Sequence, residues 1–221
     1  MMRNNRMTDV ASCLMTAVGV AIIAYSTCES APTIDRKIHE AIGRAIAKEA
    51  VGLLRDGGQI SVITRDTEAF KQPALEVQMD SFKAEIRRAG ATLGVTRRIQ
   101  LDPLRPFQAP PGDFYELIRR TPSGSVIVSF MGPPMLTEEE RVQLGTNKPG
   151  IVAFCPGNPE ENGYLRSLFD QQLLHAAVVR RPNSGQTGFN SGQVAETFDQ
   201  LYQSVTAAEP SALQEAGGSP K

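Results

Sequence analysis

The chain has 221 residues, 41% of them hydrophobic and 21% charged, which is the balance of a folded protein with room for one domain and its appendages. Its 23 Lys and Arg against 24 Asp and Glu leave a net charge of -1, which excludes a protein built to grip phosphate backbones, so no nucleic-acid partner is expected. Three cysteines and two histidines exclude a disulfide scaffold and are too few for a zinc cluster, so neither a metal nor a cofactor is expected.

In chain order, Arg3 and Arg6 form a short basic head, and the stretch from Val10 to Thr27 carries no charge. That length lies at the lower edge of the roughly 17–25 residues that cross a bilayer as a helix, and beyond the roughly 7–15 apolar residues of a secretory signal. Three readings stand: an uncleaved signal anchor, a cleaved signal peptide, and a lipoprotein cut before Cys28. Tyr25, Ser26 and Thr27 fit the last one poorly, and the anchor is preferred. The basic head places the N-terminus in the cytoplasm and the remainder outside it. Residues 1–32 are therefore expected to tether the protein to a bacterial inner membrane, with the domain facing the periplasm or exterior.

Ile34, Ile38, Ile42 and Ile46 recur every fourth residue, while Arg36, Lys37, Glu40, Arg44, Lys48 and Glu49 mark an opposite face. This is an amphipathic helix over 33–57, ended by Asp56-Gly57-Gly58. Its apolar stripe either packs on its own domain or self-associates near the membrane, which would give a homodimer through residues 34–54.

Residues 58–182 alternate between strand and helix. Gln59–Thr64 is short and β-branched. Pro73 opens a helix whose face is Leu75, Met79, Phe82 and Ile86, closed by Ala89-Gly90. A second strand falls within Ala91–Leu101, interrupted by Arg97 and Arg98, and Pro103, Pro106, Pro110 and Pro111 stiffen the loop that follows. After a short helix from about Asp113 to Arg120 comes Ser125–Phe130, a continuous strand run suited to burial on both faces. Thr137-Glu138-Glu139-Glu140 is a capping box for a helix to about Leu144. Strand Ile151–Phe154, a helix starting at Asn158-Pro159-Glu160-Glu161, and strand His175–Val179 complete the series. Such alternation predicts an α/β fold: an open, doubly wound, Rossmann-like parallel sheet of about five strands. Beyond Pro182, residues 183–221 read as a flexible linker, a docking helix marked by Val194, Phe198, Leu201, Tyr202 and Val205, and a frayed tail.

The strand Ile60–Thr64, the polar loop with Asp66, the helix from Pro73 to Gly90, and the strands Ser125–Phe130 and Ile151–Phe154 together resemble the opening lobe of type I periplasmic sugar-binding proteins. The resemblance covers about Gly58 to Pro182. It implies a single binding-protein-like lobe and a polar small-molecule ligand. Members of that family clamp their ligand between two lobes, and this chain has length for one.

In open parallel sheets the ligand lies beyond the carboxyl ends of the strands. Those ends supply Thr64 and Asp66, then Asp102, then Ser129 and Met131, then Asn158, then Arg180 as candidate ligand contacts. Such groups hydrogen-bond a polyol, and they equally cap loops. Several chemistries fail on inspection: G-x-G-x-x-G after a strand, the P-loop, the helical zinc motif and the G-x-S-x-G elbow are all missing. Cys155 ends one strand while His175 begins another, which sets them at opposite edges of a parallel sheet. Asp66 with Glu68 faintly resembles the acidic loop of haloacid-type phosphohydrolases, without the groups that would complete a magnesium site. No catalytic residue is expected. The expected function is a membrane-tethered, extracytoplasmic, non-enzymatic binding or interaction domain; the alternative is a sugar-like solute binder serving transport or sensing.

Overall fold

The computed structural model describes residues 34–68, 71–100, 109–145, 148–157, 162–181 and 197–208. The apolar stretch from Val10 to Thr27 lies outside them, and among the described residues no helix is long and apolar enough to cross a membrane.

The first helix, α1 (Arg36–Leu53), starts where the Asp35 carboxylate accepts the backbone N–H groups of Lys37 and Ile38 at 3.0 and 3.4 Å. Then follow β1 (Ile60–Arg65), α2 (Pro73–Arg88), β2 (Leu93–Ile99), α3 (Pro111–Arg120), β3 (Val126–Ser129), α4 (Glu138–Leu144), β4 (Gly150–Cys155), α5 (Asn162–Asp170), β5 (Ala176–Arg180), α6 (Phe198–Leu201) and β6 (Tyr202–Thr206). The strands form a six-stranded sheet in the order β2-β1-β3-β4-β5-β6, parallel except for β6, which runs antiparallel to β5. The order reverses between β1 and β3, so the chain leaves the sheet in opposite directions there.

Side chains alternate along each strand and build a separate core on each face of the sheet. Ile60, Val62, Val126, Val128, Val152, Phe154 and Val178 meet α1 and α2 through Ile42, Ile46, Met79, Phe82 and Ile86. Ile63, Ile127, Ile151, Ala153 and Val179 meet α3 and α5 through Phe114, Ile118, Leu165, Leu168 and Phe169. The sheet is thus doubly wound. Phe82 and Phe130 contact edge to face, with centroids 5.5 Å apart. Helices α1 and α2 cross closely at Gly43, where an added Cβ would stand 2.2 Å from the Gln78 carbonyl oxygen. The capping box at Thr137 forms in both directions, by 2.8 and 3.2 Å bonds with Glu140.

One of the two readings of α1 is favoured, and two expectations change. The apolar stripe of α1 is not free: Ile42, Ile46, Ala47 and Ala50 are fully buried against the sheet and α2. The face that would have joined a second copy through residues 34–54 is therefore occupied by the domain's own core. The sheet has six strands where about five were expected. The extra strand replaces most of the docking helix: after one helical turn at Phe198–Leu201 the chain becomes β6. The edge of β5 offers a row of backbone groups, and Tyr202–Thr206 satisfies them while Val205 enters the α3–α5 core. Tyr202 lies 5.8 Å from Phe154 and 6.0 Å from Phe198, ring to ring, which fixes the helical turn over the other face.

Strand β2 runs through Arg97 and Arg98 without a break. It is an edge strand, and its side chains are exposed except at Gly94 and Ile99, so charges cost little there and discourage pairing with another chain. Arg97 meets Asp113 of α3 at 2.6 Å, and Arg98 meets Glu68 at 3.2 Å.

Candidate functional site

The carboxyl ends of β1 and β3 flank the point where the strand order reverses, so their loops define the site that this fold offers a ligand. After β1, Asp66 turns the chain: its carboxylate accepts the Glu68 backbone N–H at 3.0 Å and the Gln100 side-chain amide at 3.4 Å. Its backbone N–H continues the β1–β2 pairing by donating to the Ile99 carbonyl at 2.9 Å. Asp66 is half-buried and stands at the rim.

Thr64 is placed differently. It is only 5% exposed, on the α2 face of the sheet, and its Oγ1 has no hydrogen-bond partner. A buried hydroxyl left without a partner costs about 1–3 kcal/mol. It lines a groove of about 420 Å³ that runs from the β1 rim back between α2 and the edge strand β2. Thr67, Lys71, Lys83 and Arg98 line the same groove, with Glu76 and Asp80 along its α2 side.

Ser129 and Met131 serve the turn after β3. The Ser129 hydroxyl donates to the Gly132 carbonyl at 2.6 Å and accepts the Met131 N–H at 3.2 Å. Gly132, at φ 86°, supplies the left-handed conformation that lets this turn close. Met131 is buried in the α3–α5 core. Both residues are engaged by the protein itself. Arg180 ends β5 opposite Tyr202, at the far side of the sheet from Thr64 and Asp66. Burial raises the pKa of the Tyr202 phenol, and Arg180 partly opposes this. Asp102 and Asn158 lie outside the described residues. Of the candidate contacts among the described residues, Thr64 and Asp66 are neighbours along one rim.

Cys155 and His175 do not meet. Cys155 ends β4, while the His175 Nδ1 accepts the N–H of Ile151 near the start of β4, at 3.1 Å. Four residues of strand, about 13 Å, separate the two positions. Among the described residues no group of three or more His, Cys, Asp and Glu side chains could hold a metal ion.

The sequence reading missed two features. Lys71 and Lys83 were not singled out; that they share a groove with Thr64 follows only from α2 lying along β2. Tyr164 of α5 donates its hydroxyl to the Pro134 carbonyl at 3.0 Å and so ties down the loop after β3. Neither carries a local motif. The available signal for the groove was Arg97-Arg98 in a strand, a mark of an exposed edge.

The chain matches no protein-family model and no curated protein sequence. Its fold is similar to that of solved periplasmic sugar-binding proteins. A periplasmic ribose ABC transporter protein from Conexibacter woesei aligns with a TM-score of 0.52 at 11% identity, covering 81% of this chain and 60% of that one. A carbohydrate transporter solute-binding protein from Agrobacterium radiobacter, solved with D-arabinose, aligns with a TM-score of 0.51 at 16% identity, covering 77% of this chain and 59% of that one. A sugar ABC transport substrate-binding protein from Bordetella parapertussis gives 0.47 at 14% identity, covering 65% of this chain and 42% of that one. The fold is that of a type I periplasmic binding-protein-like lobe, and the chain spans between 42% and 60% of these three structures.

Proposed function

We propose that this protein is a non-enzymatic, extracytoplasmic domain that binds a polar, sugar-like solute at the carboxyl end of its sheet. The residues before the described domain would tether it to the membrane. The observation that carries the reading is the carboxyl end of β1, where Asp66 stands at the rim beside the strand-order reversal and Thr64, two residues earlier, lines an open groove between α2 and β2. A carboxylate and hydroxyls in a half-buried loop suit a polyol, whose hydroxyls both donate and accept. The D-arabinose in the Agrobacterium radiobacter structure makes a pentose the first solute to try. A single lobe supplies one wall of a cleft. The opposite wall would come from a second lobe, in this protein or in a partner.

The test is a thermal-melting screen of the full-length protein against pentoses, hexoses, amino acids and nucleosides. A solute that binds only the folded state raises its stability in a dose-dependent way. The reading expects such a rise for one class of sugar, and its loss in Asp66→Asn with the unliganded melting temperature nearly unchanged. A flat screen on folded protein would refute it.

A further inference from the structure

The two edges of the sheet are built differently. Strand β2 forms one edge and carries the exposed Arg97 and Arg98. Strand β6, Tyr202–Thr206, forms the other edge and has neither a charged residue nor a proline. Its pairing with β5 is regular from Tyr202 to Thr206, with no bulge. Proteins guard a free edge with charge, proline or a bulge, because its unpaired N–H and C=O groups otherwise take up another strand. The β6 edge has none of these guards.

The bonding to β5 shows which groups are left over. The Arg181 N–H donates to the Leu201 carbonyl at 2.8 Å, and the Ala207 N–H to the His175 carbonyl at 3.1 Å. In the same alternation, the pairs Val179–Gln203 and Ala177–Val205 take the bonded positions of the antiparallel ladder. Tyr202, Ser204 and Thr206 fall between them, so their main-chain groups point away from β5. The Tyr202 N–H donates back to the Phe198 carbonyl of α6. Among the described residues, the Tyr202 carbonyl and the main-chain groups of Ser204 and Thr206 have no partner. Ser204, at the middle of this row, is exposed.

The row is complementary to itself. When a second β6 is laid antiparallel with a two-fold axis at Ser204, each Ser204 N–H meets the Ser204 carbonyl of the other copy. Each Thr206 N–H meets the free Tyr202 carbonyl. The Tyr202 N–H, already used, is not called on. On the shared face, serine stands opposite serine at the axis and tyrosine opposite threonine beside it. No like charges meet, and an aromatic residue opposite a β-branched one is a favourable cross-strand pair. The same operation on β2 would crowd the arginine pairs of both copies into one short ladder.

We infer that β6 is an interface with a second copy of this chain, which joins the two sheets into one across a two-fold axis at Ser204. The interface lies at the far end of the sheet from Asp66 and leaves that rim open. It makes no use of the α1 stripe, which the core occupies. A single short strand of mostly polar residues makes a small interface, so the dimer is concentration-dependent.

The experiment is sedimentation of the full-length protein in mild detergent over a hundredfold range of concentration, beside Ser204→Lys. The lysine would face its own copy at the axis, while its exposed position on an edge strand keeps the fold. The expected result is a native dimer, at least tenfold weaker in Ser204→Lys, with the melting temperature of the monomer unchanged. Ser204→Cys reads the register: under mild oxidation it should form a reducible dimer that neither the native sequence nor Gln203→Cys gives, because paired positions of this kind lie about 5.5 Å apart, within disulfide reach. A native protein that stays monomeric throughout would overturn the inference. So would a dimer that Ser204→Lys leaves untouched, since it would form elsewhere on the chain. A monomer that Ser204→Lys destabilises would also overturn it, and would assign the edge to another segment of the same chain.

Discussion

At the scale of single residues, Thr64 is the most informative side chain in the domain. It sits in a buried strand, 5% exposed, with a hydroxyl that nothing satisfies. Replacing it by valine keeps the shape and removes the unpaired group. Thr64→Val should therefore be neutral or stabilising by about 1 kcal/mol in urea unfolding of the free protein. A loss of more than about 1 kcal/mol would mean that the hydroxyl is bonded in the unliganded state. The histidines give a second residue-level expectation. Burial lowers the pKa of both His39 and His175 from the usual 6.5; Asp35 partly opposes this at His39, and Lys148 adds to it at His175. In both, Nδ1 is an acceptor, from the Gln78 amide at 3.0 Å and from the Ile151 N–H at 3.1 Å. The fold thus favours the neutral rings, and the unfolded chain binds protons more readily near pH 6.5. Their contribution to stability is present above the unfolded pKa and is lost as pH falls below about 6.5 through the folded values. Unfolding free energy should decline between about pH 7.5 and 5.5, and less so in the double variant His39→Gln, His175→Gln. A flat profile in the native sequence would contradict the assignment. Residue identity alone showed Thr64 and Asp66 at a strand end. It could not show that Ser129 and Met131, two positions with the same claim, are consumed by their own turn and core.

At the scale of elements, α1 decides what the isoleucine stripe is for. An amphipathic face looks the same in sequence whether it meets a sheet, another copy or a membrane surface, because periodicity records only that one side is apolar. The structure gives the stripe to the sheet: Ile42 and Ile46 are fully buried. Ile42→Lys should accordingly unfold the domain or cost several kcal/mol, as burying an unpaired charge does, instead of yielding a folded monomer from a dimer. Circular dichroism melting with sedimentation of the same sample separates these outcomes, and a folded variant of unchanged stability would show that α1 is not core. The C-terminal element illustrates the opposite failure. Phe198, Leu201, Tyr202 and Val205 satisfy a helical period, yet the chain is helical only to Leu201 and then extends. A run this short fits both periods, and the decisive factor, the unpaired edge of β5, lies more than twenty residues away in sequence.

At the scale of the whole molecule, the parallel order and the doubly wound layers were legible because five strand-helix repeats leave few topologies open. The polar strand ends were legible for the same reason. What was not legible is the groove, since it depends on how α2 lies along an edge strand that reads as interrupted. The account makes this protein a solute-binding lobe that presents one wall of a cleft. A calorimetric titration of the full-length protein with pentoses and hexoses tests that claim most directly. Saturable binding of a sugar, lost in Asp66→Asn while that variant keeps the unfolding profile of the native sequence, is the predicted result. Folded protein that shows no heat and no saturation with any sugar would contradict the account and leave the lobe as a surface for another protein.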